Sequence, residues 1–271
     1  MTFHIKGFGD TQTASAVTVQ AEPQQKITIP KKSLVKVRFP EKGMALTYYN
    51  DQFDLKIGDR VYVDGKLEGL QGRITEITYN FKIKISDYQK VIALVDTDVH
   101  GQFYMGGSHF VTFDSVALPP EQVSLWFKAP AKEEEIVVSG TDDSSFSLED
   151  LSGMKISKEI AQRGHDYYLE NRVVYLRLQG CRGYAIVEGS QAYAVEFCYQ
   201  DGQISQLLCE CPCCCRCKHE FAAMLQLQET LELINKHYLK DFKESSHVTA
   251  ISKGVLFSFA IDGKEHGSFQ I

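Results

Sequence analysis

The chain has 271 residues, of which 44% are hydrophobic and 24% are charged, and its formal net charge is −6. This composition is normal for a soluble globular protein, and the length allows two domains of ordinary size. No run approaches the roughly 18 apolar residues that span a membrane. The first residues also lack the basic flank and apolar core of a secretion signal, so we expect a cytoplasmic protein that does not associate with membranes.

The amino-terminal half has the pattern of short strands separated by turns. Residues 1–26 are rich in Thr, Ala and Gln and are predicted to be a flexible lead-in that contains one strand. Val35, Val37 and Phe39 then alternate with polar residues, and further β-branched runs follow between turns. A Pro-Pro sequence predicts one short helix at the end. Residues 27–129 are therefore predicted to be an all-β small barrel with a short terminal helix. Part of this region resembles the opening of small SH3-like β-barrels, namely LKIGDRVYVDGKLEGLQGRITEI.

A strongly acidic segment follows the predicted barrel. Residues 132–150 contain one lysine and seven acidic residues, so their net charge equals that of the whole chain. Together with their Ser and Gly content, this predicts an acidic linker over residues 130–150. Beyond it, a helix and several short strands predict an α+β domain over residues 151–245. A final Asp-Gly turn predicts a C-terminal β-hairpin over residues 246–271.

The residues most informative about function lie where the predicted strands end, in the sequence CECPCCCRCKHEF. Its frame is Cys209-x-Cys211, five residues, and then Cys217-x-His219 at the start of an apolar helix. Three thiolates and one imidazole make the closed tetrahedral set that structural Zn²⁺ prefers, with no open position for water or substrate. Clustered cysteines without a secretion signal also favour a metal site over disulfides. We therefore predict one Zn²⁺ per chain, in a site that is not catalytic.

The same frame resembles the SWIM zinc finger, whose signature is C-x-C, a variable spacer and C-x-H. The resemblance covers about residues 155–235, where a helix with a Tyr-Tyr pair and a short antiparallel sheet lead into Cys-x-Cys-Pro. It implies a SWIM-type zinc-binding domain with the ligands Cys209, Cys211, Cys217 and His219. SWIM modules generally mediate contacts with nucleic acid or proteins, and many bacterial ones precede a helicase-like ATPase. This chain contains no P-loop sequence, so such an ATPase is expected as a separate protein partner.

The spacer between the two halves of the frame departs from the SWIM pattern because it holds three further cysteines. Cys211, Cys214 and Cys217 reproduce a triple spacing of iron–sulfur proteins, which is one alternative to zinc. The spare thiols from Cys213 to Cys215 could instead be redox-active or bind Cu(I), and the chain would then be a thiol-based redox or metal sensor. The simplest interpretation makes them surplus thiols, tolerated in a reducing compartment.

Basic residues of the second domain are interleaved with tyrosines, and that combination can contact phosphates and stack on bases. No small-molecule substrate is indicated, and the partner is expected to be nucleic acid, a protein or both. Cys181 and Cys198 fall in or near strand patterns and are predicted to be packing residues. The predicted contact residues are Arg163, Arg172, Arg177, Arg182, Arg216 and Lys218.

Overall fold

A computed structural model gives the fold of the chain, which divides into two compact units. The small unit comprises residues 8–96 and 128–131, and the large unit comprises residues 1–7, 97–127 and 132–271. The structure describes residues 2–6, 30–132, 137, 139, 144–213, 215–261 and 268–270, with only the backbone placed for 2–6, 261 and 268–270.

Most of the regular structure in the described residues is β-strand, with a few helices, in agreement with the predicted mixture. The strands, numbered in chain order, are β1 (Thr2–Lys6), β2 (Ser33–Phe39), β3 (Met44–Asn50), β4 (Arg60–Val63), β5 (Gly72–Thr78), β6 (Val91–Val95), β7 (Gln102–Gly106), β8 (His109–Thr112), β9 (Phe146–Ser147), β10 (Val173–Gln179), β11 (Arg182–Glu188), β12 (Ala192–Gln200), β13 (Gln203–Cys209), β14 (His247–Ser252) and β15 (Ser268–Gln270). The α-helices are α1 (Pro120–Phe127), α2 (Lys158–Leu169), α3 (Lys218–Leu233), α4 (Leu239–Ser245) and α5 (Lys253–Leu256), and π-helical turns follow α3 (Ile234–Tyr238) and α5 (Phe257–Ile261).

The small unit is a five-stranded sheet in the order β3-β2-β5-β4-β6, and its strand pairs are antiparallel. The predicted alternation is observed, since Val35, Val37 and Phe39 are buried and the residues between them are exposed. The sheet curls so that its outer strands approach each other, and the Tyr49 N–H donates to the Gln89 carbonyl at 2.9 Å beside β6. This is a small β domain, as predicted, but residues 97–127 of the predicted barrel do not belong to it.

The large unit contains a ten-stranded sheet in the order β15-β1-β7-β8-β14-β10-β11-β12-β13-β9. Its pairs are antiparallel except at β1, which runs parallel to both β7 and β15. Residues 97–127 belong to this unit and not to the predicted barrel, because β7 and β8 extend the sheet from β14. The domain boundary predicted at the acidic segment would therefore assign strands of one sheet to two different domains.

The carboxy-terminal region differs from the hairpin predicted over residues 246–271. Its first strand, β14, lies between β8 and β10, and residues 253–261 that follow are helical. Val248 and Ala250 are fully buried, so β14 supplies core residues in the middle of the sheet. The predicted turn at Asp262-Gly263 lies outside the described residues.

Parts of the predicted lead-in and linker form regular structure. Residues 2–6 form β1, while residues 7–29 lie outside the described part of the chain. Near the end of the predicted linker, β9 pairs with the edge of β13, and both Phe146 and Leu148 are buried. These two apolar side chains pack this end of the acidic segment against the large unit. The charge pattern of the segment does not predict that packing.

Helices α2 and α3 position the candidate site on one face of the large sheet. Ala223 and Leu227 of α3 are buried against the apolar side chains of β10 to β13, and α2 packs on α3. The two helices come closest at Gly164, where a Cβ atom would lie 2.8 Å from the Phe221 Cβ and 2.9 Å from the Lys218 carbonyl oxygen. This contact fixes the first turns of α3. Among the described residues, no helix is long and apolar enough to cross a membrane.

Candidate metal centre

Four potential ligands come together where β13 ends and α3 begins. Cys209 is the last residue of β13, Cys211 lies in the turn that follows, Cys217 is the N-cap of α3, and His219 is in its first turn. One ligand atom from each residue lies within 4.8 Å of the others. These are the four residues that the sequence predicts as ligands, and this cluster could hold a metal ion.

The spacing of the ligand atoms fits a tetrahedral zinc site. His219 Nδ1 lies 3.8 Å from the Cys209 Sγ and 3.7 Å from the Cys217 Sγ. Zn–S bonds of about 2.3 Å and Zn–N bonds of about 2.0–2.1 Å separate tetrahedral ligand atoms by roughly 3.5–3.8 Å. Cys211, Cys217 and His219 are buried, and Cys209 is half-buried. The residues present therefore fit a structural Zn²⁺ that is coordinated by protein alone.

A hydrogen-bonded cap holds the start of α3, and the sequence analysis did not identify it. The Cys217 N–H donates to the Glu220 carboxylate at 2.7 Å, and the Cys217 thiol accepts in return from the backbone of Glu220. Arg216 lies 3.6 Å from the same carboxylate and donates to the Leu207 carbonyl and to the Ser144 hydroxyl. The three-residue spacing between the N-cap and a glutamate is the sequence signal for such a capping box.

The thiols of the cluster differ strongly in acidity. Hydrogen bonding from Cys209, helped by His219, lowers the pKa of the Cys217 thiol to about 4, although burial opposes the shift. Burial raises the pKa of Cys211 to about 11, and the hydrogen bond to Cys217, together with burial, raises the pKa of Cys209. Burial and the nearby Cys217 charge also raise the pKa of Glu220 to about 7. Because a metal ion displaces the protons of Cys209 and Cys211, its affinity falls as the pH falls.

Two aromatic rings hold the imidazole of His219. It stacks on Tyr193 with the ring centroids 4.7 Å apart, and the Tyr167 ring lies 5.6 Å away. Nδ1 faces the sulfur atoms, so Nδ1 is the potential ligand atom, and Nε2 would carry the proton when Nδ1 binds a metal ion. Within the described part of the chain, Nε2 is buried and has no hydrogen-bond partner. A Cβ atom on Gly189 would lie 3.0 Å from Nε2, so a larger residue there would press on the ligand.

Three of the predicted contact residues lie around one tyrosine. The Tyr167 ring is flanked by the Arg172 guanidinium, 4.8 Å from its centroid, and by the Lys218 ammonium at 4.2 Å. Lys218 also donates a 2.5 Å hydrogen bond to the Tyr167 hydroxyl. Arg163 is exposed one turn earlier on α2, on the same side of the helix. These residues form what is called below the Tyr167 surface, composed of Arg163, Tyr167, Arg172 and Lys218.

The other three predicted contact residues lie elsewhere, so the six do not form one surface. Arg216 is part of the α3 cap. Arg177 of β10 donates to the Ser115 carbonyl at 3.2 Å, and Arg182 of β11 is exposed. Leu178 follows Arg177 in β10, pairs with Gly183, and faces the core beneath α3. Successive side chains alternate between the two faces of a sheet and paired residues share a face, so Arg177 and Arg182 both lie on the face away from α3.

The remaining cysteines fall into two groups. Cys213 and Cys215 are exposed in the turn between β13 and α3. Cys214 lies outside the described residues, so the iron–sulfur alternative that requires it stays a prediction. Cys181 is exposed in the turn before β11, so the packing role predicted for it is wrong, whereas Cys198 of β12 is half-buried. The two thiols lie close enough to interact.

No family model, no curated protein and no solved structure matches this chain. Its function is therefore inferred from the metal centre and the surfaces around it.

Proposed function

We propose that the chain is a non-catalytic, zinc-binding interaction module of the SWIM type. Its partner would be nucleic acid or a protein such as a helicase-like ATPase. The observation that carries the proposal is a set of three thiols and one imidazole whose ligand atoms all lie within 4.8 Å of one another. Four protein ligands fill the coordination of a tetrahedral zinc ion and leave no position for water or substrate, so the role of the ion is structural.

The ion would join the end of β13 to the start of α3. Cys209 and Cys211 come from the strand and its turn, whereas Cys217 and His219 come from the helix. Metal binding of this kind contributes roughly 10–16 kcal/mol in isolated zinc fingers. That free energy exceeds what a helix cap contributes, about 0.5–2 kcal/mol. Removing the metal should therefore disorganise the helices that carry the Tyr167 surface.

The Tyr167 surface is the proposed contact region. Two basic side chains, Arg172 and Lys218, lie beside the Tyr167 ring, and Arg163 is exposed one turn earlier on α2. Basic side chains next to an aromatic ring can bind phosphates and stack on bases. The surface lies next to the metal centre, since the Tyr167 ring is 5.6 Å from the ring of the ligand His219. Because the whole chain has a net charge of −6, any binding of nucleic acid should be weak and should fall with added salt.

The proposal is tested by measuring the zinc content of the intact chain and its binding to a single-stranded oligonucleotide at several salt concentrations. We expect one zinc per chain and binding that salt and chelator both weaken. Replacing Arg163 and Arg172 by Gln should lower the salt slope by about 1.4, roughly 0.7 for each lost phosphate contact on a single strand. The matched control is the pair Arg177→Gln and Arg182→Gln, which removes the same charge from the opposite sheet face and should leave binding unchanged.

Two outcomes would change the proposal. A chain that binds no zinc contradicts it outright. A chain that binds one zinc but no oligonucleotide at low salt requires the protein-partner form, and a pull-down with the intact chain, with and without nuclease, would then identify the partner.

A thiol-based redox or metal sensor is the second candidate function. It is favoured by the exposed thiols of Cys213 and Cys215, which lie in the same turn as the ligands Cys211 and Cys217. In a sensor, oxidation of these thiols would speed the release of zinc. The variant Cys213→Ser, Cys215→Ser should then release zinc more slowly than the unchanged chain when peroxide is added. Equal rates would leave the two thiols without a sensing role.

A further inference from the structure

A tight turn exposes a cysteine far from the metal ligands in sequence. Strands β10 and β11 are joined by the two residues Gly180 and Cys181, since Gln179 pairs with Arg182 across the hairpin. Gly180 has a φ of 58°, a left-handed conformation that glycine adopts without steric cost, and this allows the two-residue turn. Cys181 is exposed at the second position of the turn.

The pairing of β11 with β12 brings a second cysteine to this turn. Arg182 pairs directly with Cys198, and the Tyr199 N–H donates to the Cys181 carbonyl at 2.8 Å. The thiols of Cys181 and Cys198 lie close enough to interact. A disulfide needs Cα atoms about 4.4–6.8 Å apart, and Cys181 is the chain neighbour of Arg182, the direct cross-strand partner of Cys198.

The surroundings of these two thiols suit a reactive pair. Cys181 is exposed and Cys198 is half-buried, so a small oxidant reaches Cys181 first. Arg182 lies directly across from Cys198 on one side, and Ser205 pairs with Cys198 on the other. Burial, followed by the interaction with Cys181, raises the pKa of Cys198.

The pair is separate from the metal centre. Phe197, the residue before Cys198, is buried in the core beneath α3, so strand alternation puts Cys198 on the opposite face of the sheet. None of the four potential zinc ligands lies in β11, in β12 or in the turn that holds Cys181. Chemistry at this pair therefore needs no change in the zinc ligands.

We propose that Cys181 and Cys198 are a redox modification site at which hydrogen peroxide converts the two thiols into a disulfide. The Cys181 thiolate attacks one peroxide oxygen, the O–O bond breaks, and the departing hydroxide takes up the proton released by Cys181 to form water. The Cys198 sulfur then attacks the sulfur of the Cys181 sulfenic acid, and its proton leaves with the hydroxyl group as a second water. The thiols lose two electrons and the peroxide gains them.

The disulfide would link the β10–β11 turn to β12. It would fix the position of Arg182, a basic residue on the sheet face away from α3, between two crosslinked neighbours. Reduction by a low-molecular-weight dithiol would restore both thiols. Oxidation and reduction at this site would therefore change one surface of the large unit reversibly. The metal centre would stay intact.

The test uses the full chain loaded with zinc. It is treated briefly with hydrogen peroxide, its remaining thiols are alkylated, and it is cleaved after Glu and before Asp without reduction. Cleavage leaves Cys181 in residues 171–188 and places Cys198 in residues 197–200, apart from Cys209. We expect a crosslinked peptide that joins these two segments, disappears on treatment with dithiothreitol, and forms while zinc stays bound.

Two variants serve as controls. Cys181→Ser should slow the oxidation of Cys198 to any product by about tenfold or more, because the half-buried thiol has lost the exposed partner that reacts first. Cys213→Ser, which removes an exposed thiol elsewhere, should leave the yield of the crosslink unchanged. The proposal is overturned if the unchanged chain yields separately oxidised Cys181 and Cys198, or crosslinks them to other cysteines, without the expected peptide.

Discussion

Burial separates the potential ligands from the other thiols of the same turn. Cys211 and Cys217 are 7% and 3% exposed, whereas Cys213 and Cys215 are exposed. A thiol that is held against a neighbouring strand and a helix start can keep a fixed position toward a metal ion. An exposed thiol in the turn cannot do so without moving the backbone, and this distinction can be measured.

The first prediction concerns His219. His219→Ala, combined with serine at Cys213, Cys214 and Cys215 to prevent rescue by a spare thiol, should lower the zinc affinity more than about 100-fold, since even outer-shell partners are worth about 10–100-fold. The three serine substitutions alone should retain one zinc. Competition with a chromophoric chelator measures both. Bound iron and visible absorbance in the purified chain would contradict the assignment of zinc.

The second prediction concerns His247, which is 1% exposed and lies 3.1 Å from the Thr249 hydroxyl. Burial, helped by the charge of Arg177 and opposed by Asp114, lowers its pKa to about 4. An unfolded histidine has a pKa of about 6.5, so between these values the unfolded chain binds a proton that the folded chain does not. The stabilisation is complete above pH 6.5 and is lost as the pH falls toward 4, by up to about 3 kcal/mol.

Urea unfolding at saturating zinc between pH 7.5 and pH 5 tests this dependence. Acid also weakens zinc binding, so the quantity of interest is the difference between variants and not the slope itself. His247→Gln should flatten the dependence relative to the unchanged chain. His165→Gln, which removes an exposed histidine of α2, should not change it, and identical slopes in all three proteins would refute the prediction.

The cluster could be predicted from the sequence because Cys209, Cys211, Cys217 and His219 all lie within eleven positions and match the C-x-C and C-x-H frame. The neighbouring thiols of Cys181 and Cys198 could not, because their contact depends on the register of β11 against β12. A shift of that register by one residue would move one thiol to the other face of the sheet. Local patterns do not determine register.

At the scale of the elements, the third prediction concerns the contact between α2 and α3. A methyl group at residue 164 would meet the Phe221 Cβ at 2.8 Å and the Lys218 carbonyl at 2.9 Å. Gly164→Ala should therefore force the helices apart and cost about 1–3 kcal/mol, even though alanine favours a helix over glycine by about 1 kcal/mol. Zinc affinity should fall as well, because Lys218 lies between two ligands. Urea unfolding and chelator competition measure the two effects.

Gly254→Ala is the matched control for that variant. Gly254 is also helical and belongs to the same unit, but the nearest atom to an added Cβ is the Ser252 hydroxyl oxygen at 3.9 Å. We expect unchanged or slightly higher stability from this substitution. Equal losses from both alanine variants would show that helix packing at Gly164 is not the cause.

The strand β14 shows why the neighbours of a strand in a sheet are hard to predict from sequence. Its first five residues are buried, because β8 and β10 flank it and both of its faces are covered. A strand buried on both faces does not alternate between apolar and polar residues, so its pattern says little about its place in a sheet. The predicted hairpin turned at Asp262-Gly263 and gave β14 no partner elsewhere in the chain. The observed partners are strands that precede it by more than sixty residues, β8 and β10.

At the scale of the whole molecule, the fourth prediction concerns the response of the two units to a chelator. Residues 30–96 contain all five strands of the small unit. This fragment should fold alone and melt identically with and without chelator. In the full chain, chelation should remove the transition of the large unit and leave that of the small unit. A fragment that unfolds when zinc is removed would contradict this division.

A fragment of residues 1–130 is the informative comparison. It adds β7, β8 and α1 to the small unit but lacks β14, the partner of β8. We expect no gain in the stability of the small unit and an aggregation-prone edge at β8. The acidic composition of residues 132–150 suggested a domain boundary there, but charge indicates contact with solvent and not which strands share a sheet.

The small unit interrupts the large one, because β1 and β7 are adjacent in the sheet yet all of β2 to β6 lies between them in the chain. On the ribosome, the five strands of the small unit emerge as one uninterrupted block and can finish folding early. The large sheet cannot close until residue 252 has left the exit tunnel, since β14 must enter between β8 and β10. Meanwhile the nascent chain carries two open strand edges. The cysteines and histidine of the metal centre emerge before β14, so zinc captured during translation can hold β13 to α3 while the last partner is still being made.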